Sequence, residues 1–382
     1  MQDFKAMDNI QMVDLKTQYH RIKDEVNAAI QEVIDQTAFI NGPQVKKFAK
    51  ELKEYTGAGF VIPCANGTDA LQIAMMALGF KPGDEVIVPA FTYVATVEVI
   101  ALLGLKPIFI DVTPDTFELD INQLESKITD QTVGIVTVHL YGQCSNMEEI
   151  LRIAELYKLK VIEDTAQAIG AGYTFSDGRK AQAGTMGDIG TTSFFPSKNL
   201  GCFGDGGAIF TNDPELAEKI QMIANHGQKK KYYHDSIGVN SRLDTLQAAI
   251  LSVKLKYLDD YSKSRNEVAD RYDHAFASHP YIHIPERVGN STHVFHQYTI
   301  RLAESVDREA FKKHLADKGI PTMVYYPLPL HLQKAYLEYG GREGQFPVSE
   351  KLCKQVISLP IHTEMKSEEQ DYIIEQILNF FK

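Results

Sequence analysis

Two residues in the middle of the chain, Lys198 and Asp164, could supply a reactive amine and a carboxylate to one site. Lys198 stands between the apolar run 193–196 and the glycine-rich run 201–207, which indicates a side chain presented at a cleft. Asp164 directly follows the strand-like run 161–163. A lysine amine can form a Schiff base and move protons once released, and a buried carboxylate stabilises a protonated nitrogen. Spacing alone favours ordinary surface groups for both residues.

The same two groups are what a pyridoxal phosphate cofactor requires. Its pyridine ring accepts electrons best when the ring nitrogen is protonated against a carboxylate, and its aldehyde needs a lysine amine. A phosphate site is the third requirement. The turn Asn66-Gly67-Thr68 leads into a helical stretch, whose first backbone N–H groups and the Thr68 hydroxyl are suited to bind phosphate. An ordinary capped helix explains this turn equally well.

Other glycine-rich segments do not match known nucleotide motifs. The run 201–207 lacks the Lys-Ser/Thr pair of a P-loop. Gly170 and Gly172 begin a dinucleotide fingerprint, but Phe175 occupies the third glycine position. Binding of ATP or of a nicotinamide cofactor, and with it a dehydrogenase function, is therefore poorly supported.

Composition restricts the possible partners. The chain has 382 residues, 44% of them hydrophobic and 23% charged, which predicts a soluble globular protein with two domains, or with one large domain and an appendage. A net charge of −11 argues against a general nucleic-acid-binding surface. The run 229–231 is three lysines, which is usually a solvated loop but is also able to attract an anionic substrate.

Cysteine usage and hydropathy predict a cytoplasmic protein. The four cysteines include no CxxC pair and no histidine at metal-ligand spacing, which argues against a zinc site or a disulfide framework. We expect no metal. The polar start, residues 1–11, does not resemble a signal peptide, and apolar stretches such as 94–105 are too short to span a bilayer.

The order of the secondary-structure elements predicts an α/β fold that positions these groups. Between about residues 45 and 250, strand-like runs alternate with helical patterns, which indicates a mostly parallel sheet covered on both faces. Functional groups of such sheets collect at the carboxyl ends of strands, where Asp164 stands. Residues 243–272 predict one long helix that bridges two domains. We expect a large domain over 1–250 and a smaller α+β domain over 251–382, with the N-terminal segment packing near the small domain.

Taken together, the motifs resemble the DegT/DnrJ/EryC1/StrS family of nucleotide-sugar aminotransferases. The motifs that carry the resemblance cover nearly the whole chain: Val13-Asp14-Leu15-Lys16, Ile40-Asn41-Gly42-Pro43, Asn66-Gly67-Thr68-Asp69-Ala70-Leu71, Gly83-Asp84-Glu85-Val86-Ile87, Val138-His139-Leu140-Tyr141-Gly142-Gln143, Ile162-Glu163-Asp164-Thr165-Ala166-Gln167-Ala168, Ser193 to Gly201, and Gly204-Asp205-Gly206-Gly207-Ala208. The resemblance implies the fold type I of pyridoxal 5'-phosphate enzymes, with a mostly parallel seven-stranded sheet, and L-glutamate as the amino donor.

The resemblance also implies roles for individual residues. Lys198 would carry the cofactor as a Schiff base, Asp164 would contact the pyridine nitrogen, and Gln167 would lie near the ring hydroxyl. Gly67, Thr68 and Ser193 would contact the phosphate. Tyr93 would stack on the ring. Asn240 would reach the phosphate of the cofactor bound to a neighbouring subunit. The last role implies a symmetric homodimer.

The sugar is less well determined by these motifs. The segments 226–234 and 242–247 look most like the branch that aminates C3 of a UDP-linked 3-oxo-N-acetylglucosaminuronate, where Arg242 would contact the sugar carboxylate. A surface or interface salt bridge remains an alternative for Arg242. Enzymes that aminate dTDP-linked 3-oxo-6-deoxyhexoses share much of the pattern, and a 4-oxo sugar also stays open.

The segment 325–331 resembles the small-domain segment that faces the sugar nucleotide, which makes His331 and Tyr325 candidate substrate contacts. His362 is a further candidate, although a lone histidine beside proline is more often structural.

The sequence leaves two other functions open. Dehydratases of this fold typically replace the Schiff-base lysine by histidine, so Lys198 argues against that activity. A regulatory protein without turnover is a second alternative, weakened by the retention of Lys198 and Asp164.

Overall fold

The computed structural model of the chain describes residues 10–382. Residues 1–9, which form most of the polar start of the chain and the beginning of the expected large domain, lie outside the described residues. The described helices are α1 (Leu15–Gln36), α2 (Pro43–Thr56), α3 (Gly67–Leu78), α4 (Ala95–Leu102), α5 (Ile121–Leu124), α6 (Met147–Tyr157), α7 (Pro214–Ala224), α8 (Thr245–Leu255), α9 (Leu258–Phe276), α10 (Arg308–Asp317), α11 (Pro347–Gln355) and α12 (Ser367–Asn379). The strands are β1 (Phe60–Cys64), β2 (Glu85–Pro89), β3 (Lys106–Ile110), β4 (Thr132–Val138), β5 (Lys160–Asp164), β6 (Gly172–Thr174), β7 (Lys180–Gln182), β8 (Ile189–Ser193), β9 (Gly207–Thr211), β10 (Gln228–Lys230), β11 (Tyr233–His234), β12 (Ile282–His283), β13 (Tyr298–Leu302) and β14 (Val356–Leu359).

A seven-stranded sheet forms the centre of the molecule, in the order β1-β9-β8-β5-β4-β2-β3. Strand β9 runs antiparallel to both of its neighbours, and all other neighbouring pairs are parallel. The expected mostly parallel α/β sheet is therefore confirmed. Asp164 is the last residue of β5, which lies between the parallel strands β4 and β8. It stands at the carboxyl end of an interior strand, where parallel sheets collect functional groups.

Helices cover both faces of this sheet because its strands are apolar on both sides. In β2, Val86 and Val88 belong to the core beneath α3, α4 and α7, whereas Ile87 belongs to the core beneath α6. Successive strand residues point to opposite faces, so one continuous apolar run supplies both layers. The sheet is held between these layers, which fixes its carboxyl edge as a rigid platform.

A second core surrounds the antiparallel strands β12, β13 and β14. Helices α9, α10 and α12 supply buried residues to it, among them Tyr272, Phe311 and Ile373. Ile10 joins this core, and the Met12 carbonyl accepts the N–H of Ile361 at 3.3 Å. The contacts are consistent with a smaller α+β domain against which the N-terminal segment packs, while the boundary after residue 250 stays a prediction.

The prediction of one long helix over residues 243–272 is wrong. The N–H groups of Lys256 and Tyr257 bond to carbonyls three residues earlier, and Tyr257 leaves the helical conformation at φ −106° and ψ 2°. Helix α8 ends there and α9 begins at Leu258. The two helices serve different cores, since α8 packs with α2 through Leu251 and α9 contributes Tyr272 to the second core. Periodicity continues across this break, so the sequence pattern did not reveal it.

Candidate active site

A cavity of about 680 Å³ opens at the carboxyl edge of the central sheet. Eight of the residues for which a cofactor or substrate role is expected from the sequence line it: Gly67, Thr68, Tyr93, Asp164, Gln167, Ser193, Lys198 and Tyr325. They come from the start of α3, the loop before α4, the ends of β5 and β8, and two later loops. The fold therefore brings together residues that are up to 258 positions apart (325 − 67).

Lys198 lies in a tight turn after β8, and its backbone N–H donates to the Phe195 carbonyl at 2.8 Å. Burial lowers the pKa of its amine to about 8, although the nearby Asp164 carboxylate acts in the opposite direction. About a quarter of such amines are neutral at pH 7.5, against about one in a thousand for an ordinary lysine. A nucleophile or base must be neutral, so the cavity supplies an amine that is ready to react.

Asp164 presents its carboxylate to the same cavity. Its Oδ1 accepts the Ala166 N–H at 3.0 Å, and its Oδ2 accepts the Thr96 hydroxyl at 3.3 Å. Burial raises the pKa of Asp164, and the Ala166 N–H, the Lys198 amine and the Thr96 hydroxyl oppose that shift. A cationic partner would stabilise the charged form of this buried carboxylate, and a protonated ring nitrogen would be such a partner.

The first turn of α3 forms the other end of the cavity. Asn66 caps the helix by accepting the Asp69 N–H at 2.8 Å. The N–H groups of Gly67 and Thr68 have no backbone or side-chain acceptor among residues 10–382. A Cβ on Gly67 would lie 2.8 Å from the Cβ of Ser193, so glycine is what lets the helix start approach the end of β8. Two free N–H groups and two hydroxyls at a helix N-terminus fit a phosphate.

Gly67→Ala tests this end of the cavity. The added methyl group would push α3 and β8 apart, and overpacking of this kind costs about 1–3 kcal/mol, so we expect the cofactor dissociation constant to rise about tenfold or more. Equilibrium titration of the cofactor-free protein with pyridoxal phosphate measures this. Gly289→Ala is the matched control, because nothing lies within 4 Å of a Cβ at that position. Equal affinities for both variants would contradict the assignment.

Gln167 is held between two tyrosines. Its Oε1 accepts the Tyr141 N–H at 2.7 Å, which fixes the orientation of the amide, and its Nε2 donates to the Tyr326 hydroxyl oxygen at 3.2 Å. The Tyr326 proton is then free to donate to another group in the cavity. The Tyr93 ring is 55% exposed and lies 6.1 Å from the Tyr326 ring, so a flat ligand beside Gln167 would meet aromatic faces.

Three lining residues were not found from the sequence: Tyr326, His296 and Gln297. Thr96, which donates to Asp164 from outside the cavity lining, was not found either. Tyr326 stands directly beside the candidate Tyr325, so that motif contained a signal. His296 and Gln297 reach the cavity through a loop before β13 and had no motif of their own. Burial, followed by the Lys198 and Arg265 cations, lowers the pKa of His296 well below its usual value. His296 is therefore a neutral imidazole beside the amine.

Three of the candidate substrate residues do not reach the cavity. His331 is fully buried, with Nε2 3.1 Å from the Glu350 carboxylate and its ring against Phe346. His362 is also buried, and its Nδ1 accepts the Glu364 N–H at 3.2 Å. Arg242 is half-buried and does not line the cavity. After Pro329 the chain turns into the core, so His331 does not reach the cavity of its own subunit, and its contact with the substrate stays a prediction.

Asn240 also lies outside the cavity of its own subunit. Its side chain is exposed, as expected of a residue that serves a neighbouring subunit. The adjacent Ser241 is buried, and its hydroxyl accepts the Ala65 N–H at 3.0 Å. The loop that carries Asn240 is thus anchored beside the turn at the phosphate end of the cavity.

Comparison with known sequences decides the family. The profile of the DegT/DnrJ/EryC1/StrS aminotransferase family matches residues 20–378. The chain belongs to this family. It is 47% identical over 357 residues to the UDP-2-acetamido-2-deoxy-3-oxo-D-glucuronate aminotransferase of Pseudomonas aeruginosa, covering 92% of this chain and 95% of the relative. It is also 47% identical over 376 residues to the "Pleiotropic regulatory protein" of Geobacillus stearothermophilus, covering 98% and 99% of the two chains.

A third relative is the dTDP-3-amino-3,6-dideoxy-alpha-D-galactopyranose transaminase of Aneurinibacillus thermoaerophilus, 43% identical over 369 residues, with 96% of this chain and 98% of the relative covered. Among solved structures, ntda from Bacillus subtilis with bound cofactor PMP superposes with a TM-score of 0.90 at 35% identity, covering 99% of this chain and 86% of the other. The predicted aminotransferase fold and the pyridoxal phosphate cofactor are confirmed: the chain is a pyridoxal-phosphate-dependent aminotransferase of the sugar-nucleotide family. Within residues 10–382, none of the helices is both long enough and apolar enough to cross a membrane.

Proposed function

We propose that this aminotransferase moves an amino group from L-glutamate to C3 of UDP-2-acetamido-2-deoxy-3-oxo-D-glucuronate. The observation that carries the proposal is the 47% identity to a Pseudomonas aeruginosa enzyme named for that substrate, over 95% of its length. The cavity supports an aminotransferase, because a lysine amine with a lowered pKa, a carboxylate and the turn at the start of α3 face one volume. Arg242 supplies the guanidinium that a sugar carboxylate requires.

When bound, pyridoxal phosphate supplies an electron-accepting ring that stabilises negative charge on the carbon attached to the transferred nitrogen. In our proposal Gly67, Thr68 and Ser193 bind its phosphate, and Tyr93 stacks on the ring. Asp164 keeps the ring nitrogen protonated, while Gln167 holds the ring hydroxyl edge. These roles match what each side chain can donate or accept in the cavity.

Lys198 performs the proton transfers in this proposal. Its amine would hold the cofactor between reactions and would be free once the amino donor is bound. The neutral amine would then take the proton from the α-carbon of L-glutamate, and in the second half of the reaction it would deliver a proton to C3 of the sugar. The donor and the sugar use the same cavity in turn, so ping-pong kinetics are expected.

We also infer that the active unit is a symmetric dimer in which Asn240 and Arg242 act on the cavity of the partner subunit. Large apolar side chains that are exposed in the single subunit are consistent with such an interface: Phe39, Ile40, Phe203 and Ile237, the last of which is 87% exposed. Sedimentation velocity together with activity measurement tests this inference. A fully active monomer would refute it, and so would an Asn240→Ala variant with unchanged cofactor affinity.

Substrate identity is tested by assaying UDP- and dTDP-linked 3-oxo and 4-oxo sugars with L-glutamate. We expect the UDP-linked 3-oxo uronate to be converted with the highest kcat/KM. A dTDP-linked 3-oxo-6-deoxyhexose is the second candidate, favoured by the 43% identity to a dTDP-sugar transaminase. Arg242→Lys distinguishes the two substrates. The variant should lower kcat/KM for the uronate, whose carboxylate loses a bidentate partner, and should leave kcat/KM for the 6-deoxy sugar, which has no carboxylate, unchanged. Equal activity of that variant on the uronate would exclude the proposed role of Arg242.

A further inference from the structure

A buried pair of titratable residues lies directly behind the cofactor-facing end of β5. Glu163 and His139 are both 0% exposed, and His139 Nε2 lies 2.9 Å from Glu163 Oε2. Neither residue lines the cavity. Since successive residues of a strand point to opposite faces, Glu163 extends away from the cavity into which Asp164 points.

The Glu163 carboxylate is saturated with hydrogen bonds. Its Oε1 accepts the N–H groups of Met186 at 2.7 Å and Gly187 at 2.6 Å. Its Oε2 accepts the Gly184 N–H at 2.9 Å in addition to His139. Four donors suit an ionised carboxylate, which can only accept. Glu163 therefore connects the loop after β7 and His139 to the end of β5 by hydrogen bonds.

The protonation of His139 follows from its other contact. The Ser145 N–H donates to His139 Nδ1 at 3.1 Å, so Nδ1 is the acceptor and the ring proton is on Nε2. That proton is donated to Glu163. The imidazole is thus held in one tautomer and bonded at both nitrogens, which restricts its rotation.

The backbone around His139 connects this pair to two residues that face the cofactor. The His139 N–H donates to the Asp164 carbonyl at 3.1 Å. Two residues later, the Tyr141 N–H donates to Gln167 Oε1 at 2.7 Å. A shift of the segment after β4 would therefore move Asp164 and Gln167 together.

We propose that His139 and Glu163 are positioning residues that hold Asp164 and Gln167 against the cofactor ring. The inference rests on the cofactor roles proposed above for these two residues. A fully bonded buried network has one low-energy arrangement, whereas the loss of one partner leaves a buried donor or acceptor unsatisfied and allows the strand ends to move. Sites of this kind tolerate displacements of only about 0.5 Å.

Two substitutions of His139 separate its contacts. His139→Asn keeps an acceptor for the Ser145 N–H near the Nδ1 position but removes the donor to Glu163. His139→Gln keeps an N–H donor near the Nε2 position and removes the acceptor. Tyr272→Phe is the control, because it removes a buried hydrogen bond of 3.0 Å to the Pro360 carbonyl in the second core, outside the cavity.

Two properties of the loaded protein report on positioning: the cofactor dissociation constant and the pH midpoint of the visible absorbance. We expect His139→Asn to raise the dissociation constant about tenfold. The midpoint should move to higher pH, because a less stabilised positive charge on the ring favours a proton on the neighbouring Lys198 nitrogen. His139→Gln should cause smaller changes, and Tyr272→Phe should lower only the melting temperature. Wild-type values for His139→Asn, or equal changes for Tyr272→Phe, would overturn the proposal.

The same titration with Asp164→Asn separates this inference from the proposed function. If Asp164→Asn leaves the midpoint unchanged, the cofactor role of Asp164 is wrong and the inference fails with it. If Asp164→Asn shifts the midpoint and His139→Asn does not, the inference alone fails. Should His139→Asn not fold, Ser145→Ala removes the hydroxyl that lies 3.4 Å from Nδ1 and keeps the N–H. A smaller shift in the same direction then supports the proposal, and no shift overturns it.

Discussion

Lys198→Ala is expected to abolish transamination while the protein remains folded. The variant loses both the amine that binds the cofactor and the base that moves protons, so turnover should fall by more than about 10²-fold, the low end of the range for proton-transfer catalysis. Lys198 is half-buried and its turn is held by backbone contacts, so the fold does not depend on the side chain. Single-turnover absorbance with L-glutamate measures the loss, and the far-ultraviolet circular dichroism spectrum monitors the fold.

Lys254 provides an internal comparison for this prediction. It is 2% exposed, and burial lowers the pKa of its amine to about 8, as for Lys198. However, its Nζ donates to the Gly201 carbonyl at 2.5 Å, and it does not line the cavity. Borohydride reduction of the loaded protein, followed by peptide mass spectrometry, should therefore label the Lys198 peptide and leave the Lys254 peptide unmodified. Turnover by Lys198→Ala above 1% of wild type, a level set by the range of about 10²–10⁴ for proton-transfer catalysis, would refute the assignment.

Asp164→Asn is expected to lower kcat by about 10²- to 10³-fold, because the amide cannot stabilise positive charge on the ring nitrogen. The substitution should not harm the cofactor-free fold. Burial raises the pKa of Asp164, so its charged form is already disfavoured there, and an amide oxygen can still accept the Ala166 N–H. The melting temperature of the cofactor-free variant should thus stay close to that of the wild type.

Thr96→Val serves as the graded control for Asp164. It removes the hydroxyl that donates to Asp164 Oδ2 and leaves the carboxylate itself in place. Its kcat should fall far less than that of Asp164→Asn. If both variants lose the same activity, the contribution of Asp164 comes from local packing and not from its charge. Steady-state assays and the pH midpoint of the bound cofactor distinguish these results.

Much of the architecture was accessible from local patterns. The apolar runs of β2 to β5 alternate with amphipathic helices, and this alternation predicted the parallel sheet because strands buried on both faces need helices on both sides. Asp164 was placed at a strand end for the same reason. The break at Tyr257 was not accessible, since both halves keep a helical pattern and only their packing against two different cores separates them.

By itself, the sequence determined which groups are available to this protein: an amine at Lys198, a carboxylate at Asp164, and a glycine turn at residues 66–68. The tertiary structure decided which groups meet. It brought Tyr326 and His296 into the cavity and kept His331 in the core. It also joined His139 to Glu163 behind Asp164. The reason is physical: a motif specifies side chains and local backbone, whereas the burial, desolvation and hydrogen bonding that set reactivity depend on neighbours from distant parts of the chain.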